Sequence, residues 1–211
     1  MGEIIPEWWA TSSGISSNWR QTMQDAEAGG TLLPDQRKEI LAGAFSESLK
    51  RLGGYQYVAE TTVLRPLRDR PLYCLFYASR HEKGIAVFRD CQVAALNAQS
   101  KTRAAHKVKH EATSSGQSEM FESMHDMSPD DTAVFLNRER ATARSAILDL
   151  TPLAPGTTYQ KLWPLVLSRH VVRLTDVNAI CRALRKEKAI MFPTWEDRAR
   201  VPKDHYTMHK V

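Results

Sequence analysis

Thr175-Asp-Val-Asn-Ala-Ile-Cys-Arg-Ala-Leu-Arg-Lys-Glu-Lys188 is the stretch on which the fold turns. Its apolar residues Val177, Ile180, Cys181 and Leu184 fall at offsets 0, 3, 4 and 7, one face of a helix. Thr175 stands where a helix cap is expected, and Asp176 suits the positive N-terminal end of the helix dipole. Asn178, Arg182, Arg185 and Lys186 fall away from the apolar face. They offer one amide and three cations, and Arg and Asn are the side chains suited to bidentate contact with guanine and adenine edges.

The neighbouring segments give this helix a context. Upstream, Thr157 and Thr158 can cap a helix carrying Tyr159, Leu162, Leu165, Val166 and Arg169, with Pro164 expected to kink it or shorten its first turn. Val171–Leu174 is a short turn. Downstream, Ala189–Phe192 reads as a strand, Pro193–Lys203 as a charged turn and Asp204–Val211 as a final strand. Thr132–Leu150, with Val134, Phe135, Ile147 and Leu148, is helical in pattern. A helix, a tight turn, a second helix and a two-stranded ribbon is the order of a winged helix-turn-helix, in which the second helix enters a groove and the ribbon loop lies over the backbone. The expected nucleic-acid-binding set is therefore Thr175, Asn178, Arg182, Arg185 and Lys186 on the helix, with Arg198, Arg200 and Lys203 on the loop for phosphates. Asp197 and Asp204 temper the charge of that loop.

The charge distribution points the same way. The chain has 211 residues and a formal net charge of +5. Residues 1–130 hold 15 Lys and Arg against 16 Asp and Glu, a net of −1, whereas residues 131–211 hold 14 against 8, a net of +6. A basic segment beside a neutral one suits a polyanionic partner. With 42% hydrophobic and 25% charged residues the composition is that of a globular protein, neither fibrous nor disordered. The longest apolar runs, Pro71–Ala78 and Leu162–Leu167, are far short of the ~18–20 residues of a membrane helix. No apolar segment with a cleavage site follows Met1, so no secretory signal is expected. Cys74, Cys91 and Cys181 are odd in number and widely spaced, which argues against a disulfide framework and for a cytoplasmic location.

The first half reads as helices and a hairpin. Asn18–Ala28 suits a short helix, with Trp8, Trp9 and Trp19 as packing anchors. Asp35–Leu52 repeats Ile40, Leu41, Ala44, Phe45, Ser48, Leu49 and Leu52 at helical spacing and stops at Gly53-Gly54. Tyr55–Leu64 is rich in Tyr, Val and Thr. Pro71–Ser79 is a continuous apolar run, expected to be a strand buried on both faces. Glu82–Ala98 follows as a helix with Ile85, Phe88, Val93 and Leu96 inward. Residues 100–130, with Lys101, Arg103, Lys107 and Lys109 and a Ser114-Ser115-Gly116 centre, read as a linker with some helix at either end. The expected division is 1–99, a linker at 100–130, and 131–211.

Catalytic motifs do not emerge. No GxGxxG follows a strand, there is no GxxxxGK[ST], and no Ser, Cys or Thr stands in a nucleophile motif. His106 and His110 are four apart, but Lys107 and Lys109 between them would repel a cation, so no metal is expected. His205 and His209, in a strand, would lie about 13 Å apart at ~3.3 Å per residue, too far for one ion. Cys74 and Cys181 read as core thiols, and Glu139 between Arg138 and Arg140 as a surface charge pattern.

The run Arg70-Pro-Leu-Tyr-Cys-Leu-Phe-Tyr-Ala-Ser-Arg-His-Glu-Lys-Gly-Ile-Ala-Val-Phe-Arg-Asp90 resembles the last strand and following helix of the three-Cys-motif partner protein family (TcmP). Leu174-Thr-Asp-Val-Asn and Phe192-Pro-Thr-Trp resemble its tail. The resemblance runs from about Trp19 onward and implies a class I methyltransferase-like domain followed by a winged helix-turn-helix. The strands and glycine loop that hold S-adenosylmethionine in such a domain have no counterpart in this sequence, so no cofactor or catalytic residue carries over. The implied fold is α+β: an incomplete methyltransferase-like sheet-and-helix segment followed by a C-terminal winged helix-turn-helix. The function it implies is nucleic-acid binding. Two alternatives stay open: a fragment or subunit of an S-adenosylmethionine-dependent methyltransferase, and a winged module that docks a protein. A hairpin standing alone leaves a sheet edge that a partner chain could complete.

Overall fold

A computed structural model describes residues 19–30, 33–65, 68–115, 131–153, 155–196 and 198–211. The chain is α+β. Its elements are α1 (Trp19–Ala28), α2 (Pro34–Gly53), β1 (Tyr57–Arg65), β2 (Arg68–Ser79), α3 (Glu82–Ser115), α4 (Asp131–Leu150), β3 (Thr157–Thr158), α5 (Tyr159–Arg169), α6 (Leu174–Lys186), β4 (Ile190–Met191) and β5 (Thr207–Lys210). No described helix is long and apolar enough to cross a membrane. Trp8 and Trp9 lie outside the described residues.

Helix α2 starts where the sequence lets it. Pro34 occupies the first turn, where its missing N–H costs nothing, and the Gln36 side chain reaches back to accept the Leu33 N–H at 3.0 Å. Gly54, at φ 63°, ends it in the left-handed conformation that favours glycine. Leu52, placed on the inward face by its spacing, lies beyond the packed part of that face and is 66% exposed.

Strands β1 and β2 form an antiparallel hairpin, with Thr62 opposite Cys74 and Tyr57 opposite Ser79. Phe76 meets Phe45 of α2 edge to face at 4.7 Å, while Tyr77, on the other face, stacks on Phe88 of α3 at 4.7 Å. The hairpin is thus held between two helices. Burial of β2 on both faces does not hold along its length: Leu72, Tyr73 and Leu75 are about half exposed. With two strands and two helices, no described residue of β2 is fully buried, and Phe76–Ser79 are half-buried.

Residues 100–115 carry the helix expected at the start of the 100–130 segment, and it is continuous with the helix before it. Helix α3 does not stop at Ala98 but continues to Ser115, so the first half of the expected linker is helix; residues 116–130 lie outside the described residues. The two halves also share one apolar core. Ala59 of β1 and Ile85 of α3 belong to the same buried cluster as Ala143 and Ile147 of α4, Leu162, Val166 and Leu167 of α5, and Val177, Cys181 and Leu184 of α6.

A buried arginine joins the halves. Arg89 of α3 is 2% exposed. It donates from Nε to the Leu167 carbonyl at 2.6 Å and from Nη2 to the Ser168 carbonyl at 3.3 Å. A third donation goes from Nη1 to Gln92 Oε1. Leu167 and Ser168 close α5, where carbonyls lack intrahelical partners and the dipole is negative, so a guanidinium fits both deficits. Burial pulls its pKa down to about 10, against the pull of Glu139 and Glu60, and it stays charged at neutral pH.

Candidate nucleic-acid interface

The C-terminal unit is built around α5 and α6. Thr158 precedes α5 without capping it through its side chain. The first N–H groups of α5 are met instead by the incoming chain: Tyr159 donates to the Tyr206 carbonyl at 2.8 Å and Gln160 to the Asp204 carbonyl at 3.0 Å. Pro164 lies buried inside α5, which runs through it without a break. Strand β5 lies between β3 and β4 in a small antiparallel sheet, and Gly156, at φ 92°, lets the chain pass close to the Met208 carbonyl.

Helix α6 begins two residues earlier than its sequence pattern suggests, with Arg173 rather than Thr175 as its N-cap. Thr175 is therefore exposed within the first turn and is not the cap. Asp176 does that work, its Oδ2 accepting the Arg173 N–H at 2.9 Å. The inward face is as the spacing requires: Val177, Cys181 and Leu184 are fully buried and Ile180 packs at the core's edge. Burial pushes the Cys181 thiol up to about 12, which leaves it a core thiol.

The flanks of α6 are occupied, and this changes the reading of two residues. On the α4 side, Arg140 Nε holds Asp176 Oδ1 at 3.1 Å and Arg144 Nη2 holds Glu187 Oε2. Both acids at the ends of α6 are thus met by cations of α4. On the opposite flank, Asn178 is half-buried and its Oδ1 accepts the Tyr159 hydroxyl at 2.6 Å. Arg185 lies with its guanidinium 4.6 Å from the centre of the Trp195 ring. Asn178 is thus engaged inside the fold, whereas Arg185 is exposed with its guanidinium against Trp195. The outward face is Thr175, Ala179, Arg182, Ala183 and Lys186, all exposed. Among the described residues Arg182 and Lys186 have no hydrogen-bond or ion-pair partner.

The loop between β4 and β5 divides similarly. Trp195 is buried, edge-on to Phe192 at 5.1 Å and 5.7 Å from Tyr206, and its indole N–H donates to the Ala199 carbonyl at 2.9 Å. It anchors the loop and is not part of the loop's exposed surface. Lys203 is taken by Glu196, with 2.8 Å to each carboxylate oxygen, so its charge is offset. The pair holds the Glu196 carboxyl below and the Lys203 ammonium above their usual ranges. Arg198 and Arg200 are exposed and without a partner among the described residues. Of the eight expected contacts, Thr175, Arg182, Lys186, Arg198 and Arg200 are exposed without a partner among the described residues, Arg185 and Lys203 are exposed but engaged by Trp195 and Glu196, and Asn178 is half-buried on Tyr159.

Glu139 is a residue whose role the sequence conceals. Rather than contributing to a surface charge pattern, it is about one-fifth exposed and its Oε2 accepts the Val171 N–H at 2.8 Å, fixing the turn between α5 and α6. His170 sits beside it, Nδ1 3.9 Å from Glu139 Oε2 and 3.5 Å from the Thr142 hydroxyl. Burial depresses the His170 pKa, Glu139 partly opposes this, and Arg89 and Arg169 add to the depression. His106 and His110 fall on α3, where their side chains lie outside what is described; among the described residues no cluster could hold a metal ion. No protein family, curated protein or solved structure matches this chain.

Proposed function

We propose that residues 131–211 form a winged helix-turn-helix that binds duplex nucleic acid, with α6 as the groove helix and the loop before β5 as the wing. The observation that carries the reading is the outward face of α6. Arg182 and Lys186 are exposed and, among the described residues, unpaired beside the small residues Ala179 and Ala183, while the acids of that helix are met by Arg140 and Arg144. A helix with small and cationic residues outward can approach a phosphate-lined groove closely, and the guanidinium of Arg182 suits a guanine edge. Arg198 and Arg200 supply contacts to the backbone that do not depend on base sequence. Asn178 is held from within by Tyr159, while Arg185 stays exposed with its guanidinium over Trp195.

In this reading the N-terminal segment, which resembles the end of a three-Cys-motif partner methyltransferase domain, buttresses α5 through Ile85 and Arg89. S-adenosylmethionine is not expected to bind this chain, and calorimetric titration with the cofactor checks that. The test of the main reading is a binding series on duplex DNA at several salt concentrations. Arg182→Ala/Lys186→Ala should weaken binding and lower the salt slope by roughly 0.9 log units for each phosphate no longer neutralised. Absence of salt-dependent binding by the unmodified chain would defeat the proposal. It would favour a protein-docking module instead, a reading that the half-exposed Met191 and Val201 support.

A further inference from the structure

We propose that Lys203 and Tyr206 form an anion site on the loop between β4 and β5, filled in the free chain by the Glu196 carboxylate and in the complex by a backbone phosphate of the duplex. The ligand rests on the nucleic-acid reading above; the site rests on contacts which that reading does not use. The loop is built to hold these groups together. Ala199 donates its N–H to the Glu196 carbonyl and Tyr206 donates its N–H to the Lys203 carbonyl, each at 2.9 Å, so both ends of the loop are turns. The Tyr206 carbonyl accepts the Tyr159 N–H at 2.8 Å, and its ring lies 5.7 Å from that of Trp195 and 4.9 Å from that of His205. The phenol is fixed in place by these contacts.

Two observations mark the site. Tyr206 is fully buried, and its hydroxyl has no hydrogen-bond partner among the described residues. Buried hydroxyls are nearly always bonded, so one left over points to a partner that arrives from outside. It lies beside the Glu196–Lys203 pair: Lys203 Nζ is 5.9 Å from the ring centre, and the hydroxyl adds to the downward pull of Lys203 on the Glu196 carboxyl. The second observation is the pair itself. Lys203 Nζ stands 2.8 Å from both oxygens of Glu196, yet both side chains are about half exposed. An exposed ion pair is worth no more than roughly fivefold in equilibrium, so a competing anion displaces it readily. A phosphodiester brings a full negative charge and two oxygens, as the carboxylate does. An oxygen placed slightly nearer the ring meets both the ammonium and the hydroxyl, and bonds to a charged acceptor are the strong ones. Arg198 and Arg200, exposed on the same loop, draw a polyanion toward it. Glu196 is thus an internal stand-in that keeps Lys203 positioned and leaves when a phosphate enters.

The experiment uses the full chain, duplex DNA and inorganic phosphate. Glu196→Gln should tighten duplex binding by roughly threefold to fivefold. Adding Lys203→Ala to E196Q should lower the salt slope by roughly 0.9 log units. Tyr206→Phe removes a hydroxyl that bonds nothing in the free chain, so Tm should not fall, while duplex binding should weaken about tenfold. If Y206F binds duplex as well as the unmodified chain, or if E196Q tightens binding no more than Asp149→Asn at an exposed acid elsewhere in the same unit, the site is overturned. A second arm does not depend on the duplex. Phosphate replacing chloride at equal ionic strength should raise the Tm of E196Q and leave E196Q/K203A unmoved; an equal response of the two overturns the site. If E196Q responds to phosphate while the unmodified chain shows no salt-dependent duplex binding, the anion site stands and the duplex reading falls.

Discussion

Replacing Arg89 with methionine tests how the two halves of the chain are joined. Methionine preserves much of the apolar stem but removes every N–H donor. The Leu167 and Ser168 carbonyls then lose the guanidinium at 2.6 and 3.3 Å, and Gln92 loses its partner. Leaving a buried acceptor unpartnered costs about 1–3 kcal/mol. Two helix-end carbonyls therefore cost several kcal/mol, and relief from burying a charge offsets part of this. The net expectation is a loss of about 2–4 kcal/mol. For a chain of this size, where 1 kcal/mol moves Tm by roughly 2–4 °C, that corresponds to a fall of about 5–15 °C. Urea unfolding followed by circular dichroism gives the free energy, and a thermal scan gives Tm. Arg89→Lys, which keeps a charge but cannot fork between two carbonyls, should lie between. A loss below about 1 kcal/mol in Arg89→Met, or an equal loss in Arg89→Lys, would refute the account of Arg89 as a two-pronged cap on α5.

Three other outcomes are expected. His170 has a folded pKa below its ordinary 6.5, so its contribution to stability is complete above that value and declines as pH falls below it; His170→Gln should flatten the stability profile between about pH 7 and 5 in parallel urea titrations. Lys188, at φ 60°, ends α6 in the left-handed conformation, and Lys188→Gly should raise stability by about 0.5–1 kcal/mol, with a lower Tm counting against the strain argument. Cys91 is exposed whereas Cys181 is buried with its thiol pushed up to about 12, so iodoacetamide at about pH 8 should label Cys91 well before Cys181, and peptide mapping would expose the reverse order.

What the sequence makes legible are the features set by local periodicity. The inward face of α6, the stop of α2 at glycine and the succession of α4, α5, α6, β4 and β5 follow from spacing and turn chemistry, whereas β3 at Thr157–Thr158, which makes the expected two-stranded ribbon a three-stranded sheet, does not. The differences arise where tertiary partners decide. Nothing local shows that Asn178 will accept a hydroxyl from Tyr159, that Trp195 will lie under Arg185, or that Glu196 will hold Lys203, because each pair closes only when the chain folds back. Arg89 and Glu139 are concealed for the same reason: a charged residue on a helix reads as surface until a neighbouring helix end or turn claims it. The length of α3 escapes a periodicity argument because the apolar repeat fades after Leu96, although its Ala, Lys and Gln content favours helix.

The shared core has a consequence for how this chain could be divided or inherited. Val166 and Leu167 of α5 lie in one cluster with Ala59 and Ile85, and the last carbonyls of α5 depend on Arg89. A piece beginning at Asp131 would carry the whole helix pair and ribbon yet expose an apolar flank and an uncapped helix end. Moved to another chain, this piece would need a replacement for Ala59 of the hairpin and the first turns of α3, so the self-supporting unit is larger than the α5–α6 pair and its sheet.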